Sequence, residues 1–468
     1  MSIWAQLSGA MWNPWLFIAF FLVGGYFSIR TGFFQLFGAG QWLGETLSPL
    51  LRRGRKRGEG GKLSQFQAMA TALGSTVGTS SIAGVSTAIY FGGAGAVFWM
   101  WASAFLGMMT GYAEKALTIR YRCRNAAGAW EGGPMDYMRR GLHSKALARA
   151  FCAACLLASF CGGNLVQANS IAGAVGVSFG ISPLLTGLVV AAVTGVVIFG
   201  GISRIGAVSS ALVPFMALLF VGGGLWVLFV HASAIAPAMR EIFVGAFSPA
   251  ALAGGGAGYG VSQALRYGVA RGVFTNEAGM GSSAMAHAVA ETESEHTQGL
   301  WGMLEVFLAT MVIATISALV ILTSGAYQPA EALRGIETGL HNPDMLGVSL
   351  VVSSFGRVMG EGSGVFITLC LSLFAVSTLL GWSYYGERCL AELTGGQGLR
   401  GVYRLAFIGL ILLGSISKVD VVWEIADLCN GLMALPNLLA LLFLSPQVIK
   451  IWKQAQGIRE GAGQKNKG

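Results

Sequence analysis

Apolar residues run through this chain in long blocks rather than with the helical or alternating period of a half-buried surface element, and polar or basic stretches separate the blocks. Eleven blocks are long enough to cross about 30 Å of hydrocarbon as a helix: roughly 13–36, 64–91, 93–118, 147–177, 183–201, 205–231, 259–290, 299–325, 361–386, 400–417 and 420–446. Two of them carry an internal polar, glycine-containing interruption. The first is Gly74-Ser75-Thr76-Val77-Gly78-Thr79-Ser80-Ser81, and the second is Thr275-Asn276-Glu277-Ala278-Gly279-Met280-Gly281-Ser282. In lipid every backbone polar group needs a partner, so such a break is tolerated only where protein or a water-filled cavity supplies one. Each broken block opens a run of five spans, which makes the second run inverted relative to the first. Broken helices at corresponding positions of two inverted halves point to a transporter's central site.

The expected fold is therefore an all-α polytopic membrane protein of about eleven transmembrane helices, a 5+5 inverted repeat with one extra N-terminal helix. Its divisions are residues 1–63 (extra helix and basic loop), 64–231 (first repeat), 232–258 (external loop), 259–446 (second repeat) and 447–468 (basic tail). Within the 326–360 loop, Ser349 to Phe355 reads as a short interfacial helix, and Gly254-Gly255-Gly256 as a hinge ahead of the second break.

Composition agrees with a membrane protein: 54% of the 468 residues are hydrophobic and only 11% charged, against about 25% charged in soluble domains. The net charge of +9 is clustered. Six basic residues lie in Arg52–Lys62, eight in Lys115–Arg149 and five between Lys450 and Lys467. Basic loops mark the cytoplasmic side, which places the N-terminus outside and the C-terminus in the cytoplasm of a bacterial or archaeal plasma membrane, and leaves no nucleic-acid surface. The seven cysteines include one C-x-x-C spacing, Cys152-Ala153-Ala154-Cys155, which lies with Cys161 in one apolar stretch, and they read as reduced core residues. The N-terminus shows no basic region or cleavage site of a removable signal.

The breaks offer a definite chemistry. Half-helix N-termini suit a carboxylate, and freed carbonyls beside hydroxyls suit a hard cation such as sodium. Thr76, Thr79, Ser80 and Ser81 lie in the first break, and Thr275, Asn276 and Ser282 in the second. Ser377 and Thr378 sit in the middle of another span and either form a sodium corner or bond back to their own helix. Gln167 and Asn169 either contact substrate or tie helices together, and Trp382 either walls the cavity or packs. Glu277, Arg271, Glu424, Asp427 and His287 are intramembrane ionisable residues, functional candidates by default. His287 is considered for a proton relay, and Arg271 with Asp427 for a gate that closes the outer path. Glu114 and Glu387 read as structural residues near the cytoplasmic ends.

These residues resemble the alanine/glycine:cation symporter family, also called sodium:alanine symporters. The likeness is carried by Val77-Gly78-Thr79 with Ile82-Ala83-Gly84-Val85, Ala96-Val97-Phe98-Trp99-Met100-Trp101, Gly132-Gly133-Pro134-Met135, Val166-Gln167-Ala168-Asn169, Asn276 to Ser282, Gly381 to Glu387, and Ala426 to Ala434. The resemblance implies the leucine-transporter fold with one extra span. It further implies sodium held by carbonyls of Gly74, Val77 and Phe374 and hydroxyls of Ser377 and Thr378, with substrate near Thr79, Ser80, Gln167, Phe274, Asn276 and Trp382. The chain departs from the family pattern at Ser80-Ser81 (usually Gly-Asn), at Ala309 (usually Asp) and at Ala94 (usually Pro).

The expected function is sodium-coupled import of a small neutral amino acid (alanine, glycine or serine) by alternating access, with sodium co-transported and no cofactor, enzymatic activity or obligate protein partner. Proton-coupled amino acid symport is the alternative. A passive channel would not need occluding halves, and an intramembrane hydrolase using Ser282 or Ser283 with His287 would lack a third orienting group.

Overall fold

The structure is a computed structural model, which describes residues 3–51, 63–125, 128–247, 257–417 and 419–457. The basic stretch Arg52–Arg57 with Lys62, the glycines 254–256 and the tail from residue 458 lie outside the described residues. The fold is all-α apart from one two-stranded hairpin, Cys123–Arg124 against Trp130–Glu131. This protein is a polytopic membrane protein. Among the described residues, five helices are long and apolar enough to cross a bilayer on their own. The remaining predicted spans are shorter, broken, or carry more polar residues than that criterion admits.

The helices that build the site are α1 (Pro14–Arg30), α2 (Gln65–Thr76), α3 (Ala83–Gly92), α4 (Gly95–Tyr121), α5 (Lys145–Phe179), α6 (Gly201–Val230), α7 (Ala257–Asn276), α8 (Ala284–Ala288), α9 (Glu295–Thr323), α10 (Gly362–Thr394) and α11 (Val419–Phe443). Helices α2 and α3 are the halves of the first broken span, and α7 and α8 those of the second. Helix α2 opens on a capping box, in which Ser64 accepts from the Gln67 amide and the Gln67 side chain accepts from Ser64, satisfying two otherwise orphaned donors. At the second break Glu277, Gly279 and Gly281 all have positive φ (54°, 90° and 80°). That conformation suits glycine and strains Glu277.

Both repeats also contain a π-helical segment beside a break. Cys161–Leu165 interrupts α5, and Phe307–Ala314 interrupts α9. Such insertions widen the helix and recur at functional sites. No composition signal announced them.

Several boundaries differ from the hydrophobic pattern. The 13–36 block stops at Arg30, because Gly32 and Phe33 turn with φ of 63° and 53°. A separate helix, Ala39–Leu51, follows. The 232–258 segment contains a helix at Ala232–Phe247, and the short helix expected at Ser349 to Phe355 is longer, Gly347–Met359. The basic tail begins with an amphipathic helix, Ser445–Ala455, that buries Val448, Ile449 and Ile451.

Helix α4 packs along α7 and α9, while α2 packs on α6 and α10. Glycine allows the closest approach: a Cβ on Gly302 would stand 2.8 Å from the Gly111 carbonyl and 2.8 Å from the Lys115 stem. The outward faces of the 183–198 helix and α6 expose Leu184, Leu188, Val196, Leu218, Leu225 and Phe229, an apolar surface of the kind that lipid solvates.

At one end the broken spans are sewn together by main chain. Leu63, just before α2, pairs with Ala290, just after α8, and the Glu291 amide donates to the Leu63 carbonyl at 2.8 Å. Arg122 reinforces the seam by donating to the carbonyls of Ala288 (2.9 Å), Ala290 (2.7 Å) and Thr292. Its guanidinium also lies 4.2 Å above the Trp130 ring. Burial lowers its pKa to about 10, so it stays charged at neutral pH.

Candidate substrate and cation site

The last turn of α2 runs against the middle of α10. Helix formation satisfies most backbone carbonyls four residues on, but near Gly74 the helix is about to end, and its carbonyl turns to side chains of α10 instead. The Ser377 hydroxyl lies 2.8 Å from the Gly74 carbonyl and 2.9 Å from that of Phe374. The Thr378 hydroxyl lies 3.1 Å and 3.0 Å from the same two oxygens. Four of the five expected cation ligands therefore form one buried oxygen cluster, with Val77 three residues along at the end of α2. The hydroxyls bond to their own helix and to the neighbouring one at once.

Beside the cluster is a closed cavity with room for about one water molecule. Ser75, Gly78, Ser80, Gln167, Phe274, Glu277, Met280, Thr378, Trp382 and Asn430 are among its walls. Gly78 is needed there because a Cβ would meet the Thr378 hydroxyl at 2.6 Å and the Gln167 carbonyl oxygen at 3.1 Å. The π segment in α5 sets Gln167, which donates to the Gly162 carbonyl at 3.0 Å and accepts from the Thr79 amide at 3.3 Å. Of the expected substrate residues, Ser80, Gln167, Phe274 and Trp382 line the cavity. Thr79 offers its backbone amide nearby, and its hydroxyl, like that of Ser81, is buried without a hydrogen-bond partner. Asn276 turns away. It donates to Thr310 at 3.2 Å and accepts from the Ala278 amide at 3.0 Å, tying the second break to the π segment of α9. Asn169 bonds the carbonyls of Gly414 and Ser417, a tie between helices.

The Glu277 carboxylate reaches into the cavity. One oxygen accepts from the Trp382 indole at 3.1 Å, and the other accepts from the Ser282 hydroxyl at 2.5 Å. On one side of the cavity, Arg271 and Asp427 form a two-pronged ion pair at 3.1 and 2.7 Å. The Arg271 guanidinium also stacks 5.2 Å from the Trp423 ring, and the Asp427 carbonyl accepts from the Trp12 indole at 2.8 Å.

Behind the breaks lies a fully buried ionic chain. Lys115 sits 3.2 Å from Glu114 and 3.4 Å from Glu305. Glu114 accepts from the Gly279 amide of the second break at 2.9 Å and from Asn437 at 2.8 Å. Glu305 accepts from Thr76 of the first break at 2.9 Å and bonds His287 at 3.1 Å. The sequence reading counted Lys115 with a basic loop and placed Glu114 near a membrane face. Both side chains are fully buried within the protein, on a face of α4 that stays turned inward as the helix continues to Tyr121. The signal was present: Lys115 and Glu305 fall inside predicted spans, where a charge is costly unless partnered. Glu387 does behave structurally, pairing with Arg400 and Arg404 at 2.5 and 2.6 Å.

Two discontinuous helices meeting at a buried polar cavity, with a carbonyl–hydroxyl cluster at its edge, define a secondary transporter. The sodium:alanine symporter family model matches residues 1–467, and the chain belongs to that family. A sodium/alanine symporter, AgcS, from Methanococcus maripaludis is 40% identical over 464 residues, covering 98% of either chain. A protein of Bacillus subtilis described as "Probable sodium/glutamine symporter GlnT" is 34% identical over 443 residues, covering 95% of this chain and 88% of that one. The crystal structure of MhsT in complex with L-phenylalanine superposes with a TM-score of 0.51 at 15% identity, over 84% of this chain and 98% of that one. The family is one of sodium-coupled amino acid symporters, and the fold is of the leucine-transporter type.

Proposed function

We propose that this protein imports a small neutral amino acid (alanine, glycine or serine) together with sodium by alternating access. The observation that carries this reading is the oxygen cluster of Gly74, Phe374, Ser377 and Thr378 adjoining the Gly78–Ser80 wall of the cavity, so that one movement of α2 against α10 changes both sites. Sodium would be held by that cluster with the Val77 carbonyl. Substrate would lie against Ser80, Gln167, Phe274 and Trp382, with Thr79 contributing its amide and Asn276 shaping the break. Arg271 and Asp427 would close the outer path, so Asp427→Asn should abolish uptake at unchanged membrane abundance; wild-type uptake would remove the gate.

The orientation set by basic loops places the N-terminus outside and the C-terminus in the cytoplasm of the plasma membrane, and reporter fusions after Arg57 and Lys453 should both read cytoplasm. The decisive experiment is uptake by proteoliposomes of labelled amino acids, with and without a sodium gradient. Accumulation of alanine, glycine or serine that needs inward sodium supports the reading. Accumulation driven by a proton gradient alone would favour proton coupling instead, a reading to which the buried His287–Glu305–Lys115 chain gives some support.

A further inference from the structure

Resting on that functional reading, we infer that Glu277 is the acceptor for the α-ammonium group of the substrate. Among the described residues that line the cavity, Glu277 alone bears a charge. Both of its oxygens accept hydrogen bonds, from Trp382 and Ser282. A carboxylate offers about four acceptor positions, and these two bonds leave the others open. The backbone of Glu277 takes the left-handed conformation (φ 54°). That conformation is costly for a non-glycine residue and is characteristically found at functional sites.

The occupant follows from the neighbours. A sodium ion needs a shell of several oxygens. The wall that includes Glu277 presents the aromatic faces of Phe274 and Trp382 and the thioether of Met280, beside polar side chains such as Ser80, Gln167 and Asn430. That environment suits an ammonium carried on a carbon atom, which takes one carboxylate as hydrogen-bond partner and lies against aromatic rings. The neutral oxygens of the first break remain for sodium. The two breaks thereby divide the work: the first holds the ion, and the second holds the positive end of the zwitterion. Substrates must then carry a free ammonium group, and hydroxy acids or N-acylated amino acids of the same size are excluded.

The test uses the purified full-length protein. Labelled L-alanine binding is measured in sodium, and sodium binding is followed separately through tryptophan fluorescence in the absence of amino acid. In the wild type, unlabelled L-alanine should displace the label, and L-lactate, which has a hydroxyl in place of the ammonium, should fail to do so at a hundredfold excess. Glu277→Gln should weaken alanine binding by at least about tenfold, as expected for loss of a charge-assisted bond, and leave the sodium half-saturation unchanged. Glu277→Asp should fall between the two. Competition by L-lactate as strong as that by alanine would overturn the inference without any variant, even if Glu277→Gln fails to fold. Wild-type alanine affinity in Glu277→Gln would overturn it, as would an equal loss of sodium response. Absence of sodium-dependent binding of alanine, glycine and serine to the wild type would instead count against the proposed substrate.

Discussion

Ser377 and Thr378 each touch two carbonyls, one from their own helix and one from α2. Removing both hydroxyls while keeping roughly the same shape, as in Ser377→Ala with Thr378→Val, should raise the sodium concentration for half-maximal uptake at least about tenfold, or ~1.4 kcal/mol. Unchanged sodium dependence would move the ion elsewhere. Ser80 stands at the cavity wall where the family pattern has glycine. Its hydroxyl can bond a polar substrate side chain, so Ser80→Gly should shift the preference between serine and alanine by about 1 kcal/mol, a typical net hydrogen-bond difference. Equal inhibition of alanine uptake by serine in both proteins would show that Ser80 does not face the ligand. At this scale the sequence was most informative where a polar residue interrupts an apolar block, as at Gly78, Ser80 and Glu277. It was silent on direction: nothing in Thr275-Asn276-Glu277 says that Asn276 turns to Thr310 while its neighbour lines the cavity.

Helix α4 acts as a beam that carries charge between the two breaks. Its Lys115 is held by Glu114, which bonds the second break at Gly279, and by Glu305, which bonds the first at Thr76. Breaking a buried pair costs roughly 3–5 kcal/mol because the remaining charge is stranded. Lys115→Met should therefore lower the thermal midpoint of the purified protein by several degrees and abolish uptake. Combining it with Glu305→Gln should recover part of the loss, since contacting residues are not additive. Strictly additive losses would show that the two groups do not share their energy. Element positions were largely legible, because a run of apolar residues bounded by glycine, proline or charge leaves few choices. The two π segments were not. A π insertion adds one residue to a turn without changing composition, and its cause is tertiary: Gln167 and Thr310 must reach the breaks.

At the scale of the molecule, the apolar blocks conveyed a membrane protein with two discontinuous helices, while the amphipathic helices at 232–247 and 445–455 passed for loop and tail. Their apolar residues are too few and too spaced for a span, and only packing against neighbours makes them ordered parts of the fold. The seam between Leu63 and Ala290, clamped by Arg122, has a mechanical consequence. If that seam holds through a transport cycle, the two half-helices move together there, and an opening at that end would register as displacement relative to α10. Spin labels at Ser64 and Glu293 should keep one narrow distance distribution whether sodium and alanine are absent or present, while the distance from Glu293 to Gln397 should change between those conditions. A broadening of the first distance would mean that the seam itself opens, and that transport works by peeling the two helices apart.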